Sequence, residues 1–536
     1  MVGSTLVEVC GRLIFSFTRT VAEHVNRSEA EIIPQMCGYD ILQNTGMEWY
    51  CQPVDEFIFQ EYSDGQVSST EYVTNFGQAR FTNACTIENC EDAEQVGQDR
   101  SMAWKRLRPS LTLTIWYSLW FGFLISFLSA GIIGILAILL YYLNYQAVLT
   151  CRTRTQQLIP IKIQWTKTIS ESISCIPIYA WFFLNMLFFF RPYQISGLKR
   201  KIFLISFVFY LLDSLYRLTL QGFGISHSEL TRRQRIPGNV LFLLSTFVQS
   251  LVLAKRLSTG ARTSRLKTMS LIIVPCIACI VVAILVAYFL YPVFTEQNKA
   301  GKVYIAVFAP LIAVALKSIS RLSIQGLWRI SHPGTSFVLL VPLYYGSAVM
   351  LRLLQVDLQS LKSIAIIGII HGIAEVIERS ALVLIDYVNY QIYERKRVPW
   401  GSFRTPRLER LVVDIAILSM LFESSAVISV NGFLHLHEYF YRDNNTPLQL
   451  LQSFVISTSV PLTIEWFFTS VSIAIETRYQ NRAVIAVWRR QWKRHLAVAA
   501  INALPIVVWS STNLLIAVQA RFPDFKEHCE MPFSHP

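Results

Sequence analysis

Residues 362–391 read KSIAIIGIIHGIAEVIERSALVLIDYVNYQ, a stretch long and apolar enough to cross a bilayer as one helix. At about 100° per residue, its ionisable side chains fall within a sector of roughly 100°, so one stripe of the helix is polar. Such groups are costly in a membrane unless they face the protein interior, a partner charge or water. Glu375 and Arg379, four residues apart, could merely neutralise each other and lock two helices together. A functional path is the other interpretation, because the stripe exceeds one pair: it contains His371, Glu375, Glu378, Arg379 and Asp386.

The composition of the whole chain indicates the same class. Of 536 residues, 53% are hydrophobic and 15% are charged, whereas soluble proteins are about 25% charged. We expect an all-α integral membrane protein of the plasma membrane or a secretory-pathway membrane, a helical bundle with about 10–11 transmembrane helices. The candidate spans are 111–143, 173–190, 202–220, 239–254, 270–291, 303–317, 335–351, 362–388, 411–433, 448–476 and 496–519.

The charge of the chain is unevenly divided. Residues 1–100 contain sixteen Asp or Glu and five Arg, a formal charge of −11 in a chain whose total is +13. The sequence therefore predicts an acidic, cysteine-containing soluble module at 1–105, a transmembrane domain at 106–520 and a C-terminal tail at 521–536.

Cysteines and glycosylation sequons bear on which side of the membrane the module faces. If both chain ends are outside, an even set of six cysteines could form disulfides, although the sequence does not choose among the pairings and free thiols are equally compatible. The six are Cys10, Cys37, Cys51, Cys85, Cys90 and Cys529. Two N-x-S/T sequons, at Asn26 and Asn444, are glycosylation candidates and would lie on the same outer side.

Three segments share one pattern, which predicts internal repeats. They are LLDSLYRLTLQGF at 211–223, ALKSISRLSIQGL at 315–327 and LFESSAVISVNGF at 421–433. Each has a charged residue followed by Ser and ends in Gln or Asn, Gly and a large apolar residue. The repeated pairs are Gln221 and Gly222, Gln325 and Gly326, and Asn431 and Gly432.

The number of crossings depends on residues 173–190. A Tyr-Gln pair before a basic loop recurs at 145–146, 390–391 and 479–480. Matching these pairs favours ten crossings with both ends outside, in which 173–190 is re-entrant or interfacial. Basic residues just before the first span favour eleven crossings with the N-terminus inside, because positive charge marks the cytoplasmic side.

Acidic and basic side chains recur within other predicted spans. Acids and a histidine that line a bundle interior suit a path for an ion or small solute, as in a transporter or channel. In that interpretation Glu375, Glu378 and Glu465 are path acids, His371 is a titrating switch and Arg379 tunes the pKa of the acids. The path candidates are His371, Glu375, Glu378, Arg379, Asp386, Glu465, Glu476, Asp213, Arg217 and Glu423.

Two other functions fit the same residues. In a receptor or adhesion protein, the acidic module would bind a partner. In a membrane enzyme acting on lipid, His371 and Glu375 would form an acid/base pair.

The sequence indicates no metal, cofactor or nucleic-acid site. His435, His437 and Glu438 lie in a stretch that we expect to be strand-like, without a third local ligand. We find no P-loop, dinucleotide or G-x-S-x-G motif. The basic segments 255–267, 394–410 and 488–495, of which the last two contain Trp, should contact anionic lipids at the cytoplasmic surface. A homo-oligomer is compatible with the sequence.

Overall fold

The described part of the chain consists of helices. A computed structural model describes residues 110–149, 161–190, 195, 197–223, 232–257, 262–328, 331, 333–356, 361–394, 403, 406–441, 447–480, 482 and 484–521. Within these ranges lie α-helices and no strand, which confirms the predicted all-α class. In chain order they are α1 (Leu111–Phe123), α2 (Ala130–Leu149), α3 (Ile161–Phe189), α4 (Lys199–Gly222), α5 (Arg232–Leu257), α6 (Arg262–Ile284), α7 (Tyr291–Glu296), α8 (Lys299–Gln325), α9 (Val341–Val356), α10 (Leu361–Glu394), α11 (Pro406–Tyr441), α12 (Pro447–Arg478) and α13 (Val484–Arg521).

Short segments of other helical types join some of these helices. A π-helical segment, Leu124–Ser129, connects α1 to α2, and another, Leu285–Leu290, connects α6 to α7. A 3-10 helix, Pro333–Leu340, runs directly into α9.

Several predictions concern residues outside the described ranges. The acidic module, both glycosylation candidates and all six disulfide candidates lie there. Of the cysteines that the structure does describe, Cys175, Cys276 and Cys279 are free.

Within the described residues, nine segments are apolar and long enough to cross a membrane, judged by length and composition. The chain is therefore a helical membrane protein. The segments correspond to nine of the eleven predicted spans: Leu111–Tyr142, Glu171–Phe189, Lys199–Gly222, Ile236–Leu257, Arg265–Val282, Ala300–Gln325, Gly334–Gln355, Arg407–Leu436 and Leu448–Arg478.

Two predicted spans, 362–388 and 496–519, are helical but are not among these nine. The first lies in α10, whose 34 residues extend over roughly 51 Å at 1.5 Å per residue. Its length is ample for a hydrocarbon core of about 30 Å, but its clustered acids and arginine make it less apolar. The second lies in α13, which begins with a basic segment. For both helices, crossing stays a prediction.

The structure describes residues 173–189 as helical, and whether this segment crosses the membrane or is re-entrant or interfacial stays a prediction. These residues belong to α3, a continuous helix of 29 residues. Hydrogen bonds to α13 fix this helix: Trp181 Nε1 donates to Asn502 Oδ1 over 2.7 Å, and the amide of Asn502 donates to Asn185 Oδ1 over 2.9 Å. The segment therefore has the length and the packing of a full helix.

The described residues fall into two compact units. The first unit contains the described residues up to Phe123 together with Ala374–Ile417 and Phe467–Trp492. The second unit contains Leu124–Ile373, Leu418–Trp466 and the described residues from Lys493 onward. In the second unit α3 packs against α4, and α6 packs against α8 and α9.

Two of the nine segments are buried along almost their whole length. Gly334–Gln355 is 100% buried over its most apolar window and Arg407–Leu436 is 94% buried, whereas Lys199–Gly222 is only 22% buried. The other segments expose large apolar side chains, such as Phe203, Leu204 and Leu215 on α4. The buried helices α9 and α11 supply the side chains on which a candidate site can be built.

Glycines in the second unit allow α2 and α11 to approach closely. A Cβ on Gly134 would lie 2.6 Å from Cγ2 of Ile428, and a Cβ on Gly432 would lie 2.2 Å from Cδ1 of Ile138. Ile138 of α2 thus packs against Gly432 of α11, and Ile428 of α11 packs against Gly134 of α2. On each helix the isoleucine and the glycine are four residues apart. Small residues bring membrane helices together in this way, which gives the predicted repeat residue Gly432 a packing role.

The predicted repeats occupy two different settings. The first copy ends α4 at Gly222, and the second ends α8 at Gln325. In the third copy, Asn431 and Gly432 lie inside α11, which continues to Tyr441. Only the first two copies therefore share a position at a helix end.

The strand-like expectation for the stretch at His435 and Glu438 is wrong. Both residues belong to α11, and Nδ1 of His435 bonds the backbone oxygen of Asn431 one turn earlier. The helix continues here because this amphipathic stretch packs on α12, where Ser453 Oγ lies 3.2 Å from Nε2 of His435.

Candidate functional site

Arg352 is the centre of a buried charge network in the second unit. Its side chain is only 5% exposed, and its guanidinium contacts a carboxylate on each of two other helices. Glu465 on α12 is in direct contact with Nη2 of Arg352 and is 3% exposed. Glu423 on α11 places Oε2 at 3.5 Å from the same nitrogen and is 19% exposed. One arginine is therefore shared by two carboxylates; we call these three side chains the Arg352 site.

A chain of hydrogen bonds leads from this site to His371. Nη1 of Arg352 donates to Oε1 of Gln355 over 2.6 Å. The amide nitrogen of Gln355 contacts Nδ1 of His371, and Nε2 of His371 lies 2.9 Å from the carbonyl oxygen of Ala306 on α8. Five helices, α8 to α12, thus contribute to the contacts around one charge.

The direction of this chain fixes the protonation state of His371. Arginine has only donors, so the oxygen of the Gln355 amide must face it and the amide nitrogen must face His371. Nδ1 of His371 therefore accepts, and Nε2 carries the hydrogen that is donated to Ala306. The ring is the neutral Nε2–H tautomer in this arrangement.

Sequence reasoning missed Arg352 and Gln355. The predicted span 335–351 ended one residue before Arg352, whereas α9 continues to Val356. The signal was present in the spacing, because Arg352 and Gln355 are three residues apart and lie on one helical face. Glu423, Glu465 and His371 were each predicted as polar path residues, and the structure brings all three to this arginine.

A second arginine of the same unit also lies near two carboxylates. Nε of Arg217 is 3.0 Å from Oδ2 of Asp213, as the four-residue spacing on α4 predicted, and Nη1 is 3.9 Å from Oε2 of Glu171 on α3. Near it, Thr168 donates to Gln221 over 3.2 Å. These contacts join α3 to α4.

The first unit holds a network that is centred on a carboxylate. Glu476, 1% exposed, accepts a hydrogen bond of 2.9 Å from Nη2 of Arg379 and lies 3.6 Å from Nη1 of Arg482. The predicted pair of Glu375 and Arg379 is present, but at 3.9 Å it is the longer contact. Arg482 also lies 3.8 Å from Glu409. Here one carboxylate is shared by two arginines.

The other predicted path residues lie on the same helices. On α10, Glu378 is half-buried and Asp386 is fully buried. On α11, Arg410 pairs with Asp414 at 3.1 Å, a contact that the sequence analysis did not include.

No three His, Cys, Asp or Glu side chains within the described ranges converge so that they could hold a metal ion. The chemistry that the Arg352 site offers is therefore that of charge and hydrogen bonds: carboxylates that bind a proton or cation, and an arginine that holds them. Comparison of the chain with protein-family models, with curated proteins and with solved structures finds no match.

Proposed function

We propose that the protein is a multi-pass transporter or channel that passes an ion or small solute through a polar path in its helix bundle. The observation that carries the proposal is the Arg352 site, three ionisable side chains at most 19% exposed in a membrane protein. Charged residues inside membrane domains are costly and usually serve passage of ions or protons.

A purely structural role explains the site less well. One ion pair is enough to hold two helices, and the contact between Arg352 and Glu465 supplies it. Glu423 adds a second, half-buried carboxylate, which gives the three side chains a formal charge of −1 when all are ionised. Uncompensated buried charge destabilises a protein. A cation or proton that binds here neutralises that charge, so its binding is favourable.

The two alternative functions draw less support from the described residues. An enzyme acting on lipid would use His371 as acid or base, but both ring nitrogens already contact Gln355 and Ala306. A receptor or adhesion protein would depend on the acidic module, which lies outside the described residues. Binding of anionic lipid by the basic segments is compatible with any of the three functions and stays a proposal, as does residence in the plasma membrane or a secretory-pathway membrane.

Flux through reconstituted protein tests the proposal. Purified protein is placed in liposomes that contain the pH-sensitive dye pyranine, and an imposed pH gradient is followed at a membrane potential clamped with valinomycin. Uptake of radioactive sodium and rubidium is measured in parallel. We expect at least one of these ions to cross several-fold faster than in protein-free liposomes.

Two variants connect the flux to the site. Glu465→Gln should reduce it strongly, because the partner of Arg352 loses its charge. Glu438→Gln, a half-buried glutamate on α11, is the matched control and should retain it. Flux no faster than in protein-free liposomes for all three ions would overturn the proposal for cations, and equal flux in Glu465→Gln would remove the Arg352 site from the path.

A further inference from the structure

The Arg352 site holds one more negative than positive charge. The charged and titratable groups around Glu423 are Arg352 on α9, His371 on α10 and Glu465 on α12. With His371 in the neutral tautomer and both carboxylates ionised, the sum is −1. A single bound proton makes the site neutral, which removes most of the energetic cost of burying it.

The three groups that could bind this proton, Glu465, His371 and Glu423, differ in their contacts with Arg352 and Gln355. Glu465 is in direct contact with the guanidinium and is 3% exposed, so Arg352 stabilises its ionised form. His371 could take a proton only at Nδ1, which faces the amide nitrogen of Gln355. Two donors would then oppose each other, and the Gln355 amide cannot turn around while its oxygen accepts from Arg352.

Glu423 is the group that remains. Its nearest carboxylate oxygen lies 3.5 Å from Arg352, beyond the usual length of 2.7–3.2 Å for an N–H···O hydrogen bond. It is also the most exposed of the three charged side chains, at 19%, although its helix is almost completely buried. It combines the longer contact with the arginine and the larger exposed fraction.

We infer that the ion carried by this protein is the proton, and that Glu423 is the carboxylate that binds and releases it. The inference rests on the proposed function and names its substrate and binding residue. In the loading step the Glu423 carboxylate takes a proton from hydronium, which gives a carboxylic acid and water. In the releasing step water takes the proton back, and no electrons are transferred.

Infrared difference spectroscopy of the purified protein in detergent tests the binding step without any transport. Spectra recorded in acid and alkaline buffer show carboxyl groups that gain a proton, and a buried carboxylic acid absorbs at a higher C=O frequency than an exposed one. We expect wild-type protein to show such a high-frequency band. The band should be lost in Glu423→Gln and retained in the matched control Glu438→Gln.

Further variants keep the test decisive. Glu423→Asp keeps the carboxyl group, so it should shift the band but not remove it, and it serves if Glu423→Gln does not fold. Glu465→Gln leaves one carboxylate for one arginine, so the band should weaken at the same pH although Glu423 is still present. A band unchanged in Glu423→Gln would overturn the inference.

The two proposals fail in different ways. If liposomes show flux of sodium or rubidium but none of protons, transport stands and the inference is refuted. A band that depends on Glu423, in a protein that moves no ion, would show proton binding at the site and refute transport.

Discussion

Replacing Arg352 by methionine should strongly destabilise the protein. The substitution keeps an unbranched side chain but leaves Glu465 and Glu423 buried without a counter-charge. Because the side chains of Arg352 and Glu465 are 5% and 3% exposed, water screens their interaction little. Loss of one partner of a buried ion pair costs about 3–5 kcal/mol, and we expect Arg352→Met to lower the free energy of unfolding by this amount.

A double-mutant cycle separates the interaction from other effects of the substitution. Arg352→Met combined with Glu465→Met should recover much of the lost stability, since a buried ion pair replaced by apolar side chains of similar volume is often close to neutral. Unfolding in mixed micelles can be followed by the fluorescence of the twelve tryptophans. The defect of Arg352→Met should shrink as the pH falls, because protons neutralise the two carboxylates that the arginine no longer balances.

The matched control is Arg265→Met, which replaces an exposed arginine on α6 and should unfold like the wild type. The reasoning would be refuted by a cost below about 1 kcal/mol for Arg352→Met, the median range of exposed ion pairs. It would also be refuted by a double variant no more stable than the single one.

Other predictions concern packing, hydrogen bonding and topology. Gly432→Leu should cost about 1–3 kcal/mol through overpacking against Ile138, and Ile138→Ala should relieve part of that cost in the same unfolding assay. Asn502→Leu should cost about 1–3 kcal/mol, because its partners on α3 lose a hydrogen bond in a buried position; a stability equal to wild type would show that those contacts do not matter. If the acidic module is outside, Asn26→Gln and Asn444→Gln should each increase the electrophoretic mobility of the glycosylated protein, and enzymatic deglycosylation should abolish the difference.

Helix positions followed from the sequence because the apolar stretches are long and few residues interrupt them. Helix ends did not follow as well. Hydropathy falls at Arg352, so the predicted span stopped at residue 351, yet the helix continues because Arg352 finds carboxylates inside the protein. Hydropathy reports transfer of a residue to lipid, whereas this side chain is transferred to a polar protein interior. Hydropathy likewise underrates α10 as a membrane span, because its charged side chains also have partners inside the protein.

Partners distant in sequence were not predictable from spacing. The pair of Glu375 and Arg379 could be found because four residues make one helical turn. The shorter contact of Arg379, at 2.9 Å, is to Glu476, 97 residues away. Glu465 likewise lies 113 residues from Arg352. A single sequence does not show which helices pack against each other. The sequence analysis therefore identified most of the charged residues but not the ion pairs that they form.

The Arg352 site is centred on an arginine and the network of the first unit on a carboxylate, although each contains one more carboxylate than arginine. In the first unit a carboxylate, Glu476, lies between two arginines, Arg379 and Arg482. The two further carboxylates of this network, Glu375 and Glu409, lie 3.9 Å and 3.8 Å from these arginines, and both contacts are longer than those of Glu476. At the Arg352 site an arginine lies between two carboxylates, and the second carboxylate is in excess. Removing that excess would leave a neutral pair at lower desolvation cost, as it also would at Arg217, which lies near two carboxylates where α3 meets α4. An ion path needs the excess carboxylate, because a group that binds a proton must be able to lose it again, and Glu423 is the carboxylate whose contact with Arg352 is long enough to permit both.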